Sequence, residues 1–133
     1  MKGYLLDTNH LSVGVRQGSP VSTQLEAVRK QGVRVGTCVP ALCELEVGIL
    51  QVHDPVGYRP TLRVFLRRLR IWPVTLETAR IYGELFHDLK RRGRAMSQVD
   101  MMLAALCREL DLVLVTTDQD FAALPWLKSE NWS

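Results

Sequence analysis

The stretch "YLLDTN", from Tyr4 to Asn9, governs the interpretation of the whole chain. Three apolar residues run directly into Asp7, as in a strand that is buried on both faces of a sheet. We therefore predict a first strand over residues 3–7 that ends on a carboxylate. A carboxylate beside a hydrophobic core is costly unless it is paired, so the groups that surround Asp7 become the central question.

Three further strands are predicted at residues 33–38, 71–74 and 112–116, and each is reached through a helix. Alternating strands and helices form right-handed crossovers around a parallel sheet. We therefore predict a three-layer α/β/α fold with a central, mainly parallel sheet, and Pro73 places the third strand at an edge. The predicted helices span residues 20–32, 40–52, 61–69, 75–92 and 97–110, with a loop at 54–60 and a short helical piece and a tail after the last strand.

Length and composition indicate a single domain over residues 1–133. Hydrophobic residues make up 47% of the chain, enough for a core, and no apolar run approaches the roughly 20 residues that cross a bilayer. No signal peptide is recognisable at the N-terminus. The three cysteines, an odd number without a CxxC pair, are typical of a reducing compartment, so we expect a cytoplasmic protein without a membrane segment.

Acidic residues follow the predicted strands at one edge of the sheet. Ligands bind at the carboxyl ends of strands in open α/β sheets, where Asp7, Glu44 and Asp118 are all expected. Asp100 begins the helix at 97–110, which spans about 21 Å, and the next strand returns antiparallel to it over about 17 Å. Asp100 should therefore approach Asp118, and Asp120 is a fifth candidate.

Such a cluster of carboxylates needs protons or a cation. Two like charges 4 Å apart repel by about 4 kcal/mol at an effective dielectric constant of 20. Oxygen ligands alone favour Mg²⁺ or Mn²⁺ over zinc. Setting these five acids aside leaves 17 basic residues against nine acidic ones. A basic body with one acidic pocket suits an enzyme that holds a polyanion and cuts it with the help of metal.

Each acid also has a purely structural explanation. Asp7 could cap a helix, Asp100 stands three residues after Ser97 as in a capping box, and Glu44 could be a solvated helix carboxylate. Asp118 and Asp120 could belong to a turn. The basic clusters at 67–70 and 90–94 likewise fit solvated helix ends. Arg91, Arg92 and Arg94 lie just upstream of Asp100, however, so we also predict that they contact the phosphates of a bound polyanion.

Four motifs in order resemble those of PIN-domain ribonucleases, and more closely those of VapC-type toxins of toxin–antitoxin pairs. The motifs are "YLLDTN" with Asp7, "PALCELEVGI" with Glu44, "SQVDMMLAA" with Asp100 and "LVTTDQDF" with Thr116 and Asp118, followed by the tail "ENW".

The resemblance implies an endoribonuclease that depends on Mg²⁺ or Mn²⁺ and cleaves RNA, often tRNA or rRNA. It also implies a homodimer, a type II toxin–antitoxin pair and inhibition by a cognate antitoxin whose C-terminal segment crosses the active site. Asp7, Glu44, Asp100 and Asp118 are then the catalytic metal ligands, and Thr116 and Asn9 support them.

Other classes of protein fit less well. A nucleotide-binding module needs GxGxxG or GxxxxGK[ST], and neither occurs. A receiver-like Mg²⁺-binding domain needs an acidic pair after the first strand, where only Asp7 stands. A nuclease that uses histidines would need them clustered, whereas His10, His53 and His87 are scattered, and we expect His10 at the surface. A non-catalytic binding module, with the acids as a recognition patch, remains the alternative.

The helices at 40–52 and 61–69 carry more apolar residues than one buried stripe requires. We therefore predict an exposed apolar groove between them that receives an amphipathic partner helix and makes the isolated chain prone to self-association. Glu44 lies on the first of these helices, so a partner held in the groove could reach the acidic pocket.

Overall fold

A parallel sheet of five strands forms the centre of the computed structural model, which describes residues 2–133. The strand order is β3-β2-β1-β4-β5, and every neighbouring pair is parallel. The predicted α/β fold with a parallel sheet is therefore confirmed, including the edge position of the third strand. The strands are β1 (Gly3–Leu6), β2 (Val35–Cys38), β3 (Arg70–Trp72), β4 (Leu112–Val115) and β5 (Ser129–Glu130).

Six α-helices and one 3₁₀ segment connect the strands. Ser19, Thr75 and Ser97 cap three of these helices through their hydroxyl groups, as the sequence predicts. The helices are α1 (Thr8–Gly14), α2 (Pro20–Lys30), α3 (Val39–Ile49), α4 (Pro55–Leu66), α5 (Leu76–Arg91) and α6 (Gln98–Leu110), and the 3₁₀ segment is Gln119–Ala123.

The structure differs from the prediction in three elements. Helix α1 was not predicted, and it starts immediately after β1 because the Asp7 side chain caps it. The loop predicted at 54–60 is wrong, since Asp54 caps a helix that begins with Pro55 at its first position, where proline is favoured. Strand β5 lies within the predicted tail and pairs with β4 over only two residues.

The strand order places a topological switch point between β1 and β4. The crossovers from β1 through β2 to β3 extend the sheet in one direction, and β4 then joins the other side of β1. Ligands bind where the carboxyl ends of two such strands diverge. Asp7 directly follows β1, and Asp118 lies three residues beyond β4, so both belong to this edge.

The core lies on both faces of the sheet. Every residue of β2 and β4 is buried, which explains the continuous apolar sequence of β4. The one polar residue of β2, Thr37, donates its hydroxyl to the Leu6 carbonyl at 2.9 Å. Leu5 and Leu6 of β1 are also fully buried. Within residues 2–133, no helix is both long enough and apolar enough to cross a membrane.

Gly36 allows β2 and β3 to approach each other closely. A Cβ atom at this position would meet the backbone oxygen of Arg70 at a distance that Cβ atoms do not tolerate, and it would lie 2.9 Å from the Trp72 ring. The close pairing of the edge strand therefore requires glycine at position 36.

We predict that Gly36→Ala lowers the free energy of unfolding by about 1–3 kcal/mol, the usual cost of overpacking. Urea denaturation followed by circular dichroism measures this change. Gly83→Ala is the matched control, because its Cβ would meet nothing within 4 Å and alanine favours the helix α5. Equal stability of Gly36→Ala and the wild type would contradict the close-approach argument.

Candidate metal centre

A pocket of about 390 Å³ opens at the carboxyl edge of the sheet. All four predicted acidic ligands and the predicted supporting residue Asn9 contribute to its wall. The lining residues are Asp7, Thr8, Asn9, Glu44, Ser97, Asp100, Leu103 and Asp118.

Asp7 is held by three hydrogen bonds. One carboxylate oxygen, Oδ1, accepts from the backbone N–H of His10 at 2.8 Å and lies 3.0 Å from His10 Nδ1. The other oxygen accepts from the Thr116 hydroxyl at 2.6 Å. The residue is only 7% exposed, so these bonds compensate the burial of its charge and fix its orientation. The capping role considered for Asp7 is thus real, and it coexists with a place in the pocket.

His10 was expected at the surface, and that expectation is wrong. The side chain is 1% exposed, and its Nε2 accepts a hydrogen bond from the backbone N–H of Trp132 at 3.2 Å. Because Nε2 is an acceptor, the proton of a neutral imidazole lies on Nδ1, which donates to Asp7. The C-terminal segment therefore sets the tautomer of a histidine that orients the first acid of the site.

Thr116 links the ends of β1 and β4, consistent with the supporting place predicted for it. Its hydroxyl donates to Asp7 and accepts from the backbone N–H of Asp118 at 3.0 Å. The Asp118 side chain in turn accepts from the backbone N–H of Asp120 at 2.8 Å. One hydroxyl thus fixes the relative position of the strand end that carries Asp7 and the segment that carries Asp118.

Asp100, Asp118 and Asp120 form the tightest group of carboxylates. Each offers one oxygen that lies within 4.8 Å of the other two. Burial raises the pKa of Asp100, and the nearby carboxylates of Asp118, Glu44 and Asp120 raise it further, against the opposing hydrogen bond from Ser97. The structure therefore brings Asp100 and Asp118 together, as predicted from the antiparallel helix and strand, and Asp120 with them.

Glu44 occupies the side of the pocket formed by α3. It is exposed, and its carboxylate accepts a hydrogen bond from the Thr8 hydroxyl at 2.9 Å. Thr8 was not considered a site residue, although it directly follows Asp7. Its position in the first turn of α1 is what joins the Asp7 segment to α3.

Arg91, Arg92 and Arg94 are not among the residues that line the acidic pocket. They are exposed around the end of α5, and Arg91 and Arg92 pair with Asp88 at 3.2 and 2.9 Å. Their predicted contact with RNA therefore remains a prediction, for a strand that extends beyond the pocket.

Residues 4–127 match the family described as the PIN domain. The chain belongs to the PIN-domain family. The tRNA(fMet)-specific endonuclease VapC of Shigella flexneri is 26% identical, with 100% of each chain covered. This likeness confirms the VapC-type resemblance of the four motifs.

Solved structures show the same PIN fold. VapBC2 from Rickettsia felis, bound to a DNA fragment from its promoter, has a TM-score of 0.87 at 26% identity, with 98% of both chains covered. VapBC-5 from Mycobacterium tuberculosis, described as a member of the VapBC family of toxin–antitoxin systems, has a TM-score of 0.66 at 26% identity, again with 98% of both chains covered.

The donor set of this PIN site fits a hard divalent cation. Its potential ligands are carboxylate oxygens, the kind that Mg²⁺ and Mn²⁺ prefer. Burial and the neighbouring carboxylates both raise the pKa of Asp100, and a bound cation would favour its ionised form. No thiol lines the pocket, and Cys38 and Cys107 are buried in the core.

We predict that His10→Leu weakens Mn²⁺ binding by about 10–100-fold, the usual cost of losing a group that orients a metal ligand. The reason is that Asp7 loses one of its hydrogen bonds while the apolar volume is kept. Isothermal titration calorimetry measures the affinity.

His10→Gln serves as the control for this prediction, because its side-chain amide can still donate to Asp7, and it should recover part of the affinity. Circular dichroism establishes that both variants are folded. Wild-type Mn²⁺ affinity in a folded His10→Leu variant would contradict an orienting role.

Proposed function

We propose that this PIN-domain chain is a metal-dependent endoribonuclease and the toxin of a type II toxin–antitoxin pair. The observation that carries the proposal is the convergence of Asp7, Glu44, Asp100 and Asp118 on one pocket. These are the acidic positions of the four family motifs. Mg²⁺ or Mn²⁺ is the proposed cofactor, held by these four acids with Asp120 as a further candidate.

The residues of the pocket would divide the work of phosphodiester hydrolysis. A divalent cation bound there would supply Lewis-acid stabilisation for the negative charge that builds up on the phosphate. Asp7 is fixed by His10 and Thr116, so it offers a ligand that needs little reorganisation. Glu44 is more exposed, and it is suited to orient the attacking water and accept its proton as the water oxygen bonds to phosphorus. The bond from phosphorus to the leaving ribose oxygen then breaks, and that oxygen takes a proton from solvent.

RNA is the proposed substrate, with tRNA or rRNA as the target class. The Shigella flexneri relative is named as an endonuclease specific for tRNA(fMet), which supports tRNA first. Arg91, Arg92 and Arg94 are the proposed phosphate contacts. The two that pair with Asp88 have exposed, weak ion pairs that a polyanion can replace.

An antitoxin is the proposed protein partner, and a groove of about 460 Å³ beside the pocket is its proposed binding site. The groove lies between α1, α3 and the first turns of α4, and Leu45, Ile49, Val52 and Tyr58 form its apolar part. It shares α3 with the groove predicted between residues 40–52 and 61–69, but no residue of 61–69 lines it. Its lining also includes Thr8, Asn9 and Glu44, which belong to the acidic pocket. A segment bound in the groove would therefore continue into the carboxylates.

We also propose that the chain forms a homodimer and acts in a reducing compartment. Exposed apolar side chains outside the groove, including Ile71, Val74 and Leu76, support self-association. The cysteines are all free, and we propose the cytoplasm as the location.

We predict that Asp100→Asn abolishes Mn²⁺-dependent RNA cleavage while the metal-free protein becomes more stable. The folded state raises the pKa of Asp100, so it favours the protonated form and is destabilised at neutral pH, where the carboxylate is charged. The stability gain should therefore shrink as the pH falls through this raised pKa. Gel assays with a 5′-labelled RNA and thermal denaturation in EDTA measure the two effects.

Asp88→Asn is the control for this experiment, because Asp88 is an acid outside the pocket that pairs with arginines. It should cleave RNA at a rate near that of the wild type. Full RNA cleavage by Asp100→Asn would exclude Asp100 from the catalytic residues and leave it a structural role at the N-terminus of α6. RNA binding by the wild type without any metal-dependent cleavage would favour the binding-module alternative.

We predict that Val52→Lys weakens binding of the co-encoded antitoxin at least about tenfold, since it places a charge in the apolar groove. Val52 is 39% exposed, so the substitution is compatible with folding. Val39→Lys is the matched control, because Val39 is 46% exposed and does not line the groove. Surface plasmon resonance measures both affinities, and equal weakening by the two variants would remove the groove as the binding site.

A further inference from the structure

A second concave surface lies at the opposite edge of the sheet from the metal centre. It encloses about 330 Å³ at the amino ends of β2 and β3, beside the C-terminal ends of α2 and α4. We call it the arginine pocket, because five of its nine lining residues are arginines. These are Arg29, Arg34, Arg67, Arg68 and Arg70.

The arginine pocket carries more positive charge than the nearby negative groups balance. Glu26 is the carboxylate that pairs there, with Arg29 at 3.3 Å and Arg68 at 2.6 Å. Helix C-termini attract cations, and the ends of α2 and α4 contribute about half a negative charge each. Five guanidinium groups thus face one carboxylate and two half-charges, which leaves an excess of about three positive charges.

Arg68 is the fixed member of this cluster. Its guanidinium is held over the Phe65 ring, 5.3 Å from the ring centroid, and by the Glu26 ion pair. Its Nε is buried and has no hydrogen-bond partner within residues 2–133, so this atom is shielded from a ligand. The N–H donors available to an anion therefore belong to the exposed arginines around it, such as Arg67 and Arg70.

We propose that the arginine pocket binds phosphate groups of the RNA substrate, as a second contact remote from the metal centre. This inference rests on the proposed function, because it takes RNA as the polyanion that the chain holds. Guanidinium groups recognise phosphate through paired N–H donors, and several of them in one concave surface provide more than diffuse attraction.

The distance between the two sites sets the length of RNA required. Val35 pairs with Tyr4, three residues before Asp7, so the sites lie about 10 Å apart along the strands. Two strand spacings separate β3 from β1, which adds about 10 Å across the sheet. At roughly 3.4 Å per nucleotide, a direct path of about 14–20 Å takes four to six nucleotides, and a path around the exposed edge strand takes more.

The test compares two double variants. The pocket variant is Arg67→Gln/Arg70→Gln, and the control pair is Arg59→Gln/Arg80→Gln. The first pair removes two exposed arginines that line the arginine pocket and form no ion pair within residues 2–133. The second pair removes the same charge from surface salt bridges elsewhere. Binding of labelled 20-nucleotide and 4-nucleotide RNAs is measured by fluorescence anisotropy in EDTA, over a series of salt concentrations.

For the 20-nucleotide RNA, we expect the pocket variant to lower the salt slope by about 1.4, since each single-strand phosphate contact contributes about 0.7. The control pair should leave the slope near the wild-type value. The 4-nucleotide RNA is too short to reach from the arginine pocket to the metal centre, so it should bind the wild type more weakly than the 20-nucleotide RNA does. An unchanged salt slope in a folded pocket variant, or equal changes in the pocket variant and the control pair, would overturn the proposal. The arginines would then be solvated side chains at the helix ends.

Two further arms separate this inference from other outcomes. Suppose that inorganic phosphate binds the wild type but not the pocket variant, while the salt dependence of RNA binding is the same in both. The arginine pocket would then be a site for a small phosphate ligand, and RNA binding there would be refuted. Mn²⁺-dependent cleavage of a short RNA should persist in the pocket variant. If the wild type does not cleave RNA, the proposed function is contradicted. If the wild type cleaves RNA but the pocket variant has the wild-type salt slope, only the role of the arginine pocket is contradicted.

Discussion

A carboxylate at the end of a buried central strand must be hydrogen-bonded, and much of this structure is organised around that requirement at Asp7. Helix α1 begins there because the Asp7 side chain caps it. The end of β4 is tied to it through Thr116, and the C-terminal segment through His10 and Trp132. Residues that are more than 100 positions apart in sequence therefore meet at one carboxylate, which becomes rigid as a result.

Rigidity at Asp7 contrasts with electrostatic repulsion a short distance away. Asp100, Asp118 and Asp120 approach one another, and burial together with the nearby carboxylates raises the pKa of Asp100. Protein stability alone does not explain such an arrangement, because removal of one charge would relieve it. Binding of a divalent cation does explain it, since the cation converts the repulsion into favourable coordination.

The parallel sheet also separates charge along its strands. Carboxylates collect at the carboxyl edge, and arginines collect at the amino edge of β2 and β3. The net charge of +3 conceals this separation. A long polyanion would meet favourable charge at the arginine edge and, once a cation is bound, weaker repulsion at the acidic edge.

Much of this arrangement is encoded locally and could be predicted from the sequence. The alternation of apolar runs and capped helices predicts the parallel sheet, and the switch point then brings Asp7, Glu44, Asp100 and Asp118 to one edge. Three features depend on distant contacts or on competing local signals. His10 is buried by a segment 122 residues away, α1 is too short to show a helical period, and the prolines of α4 resemble those of a loop. The arginine pocket is assembled from three separate segments, of which residues 67–70 alone form a visible cluster.

We propose that the carboxylates at the carboxyl edge of the sheet together form one site for a divalent cation. A crystal of the wild-type protein soaked in MnCl₂, with anomalous diffraction recorded at the manganese edge, tests this directly. We expect an anomalous peak in the pocket, within ligand distance of Asp100 and Asp118 and on the side that faces Asp7 and Glu44. A saturated crystal with manganese bound elsewhere, or with no peak among these carboxylates, would contradict it.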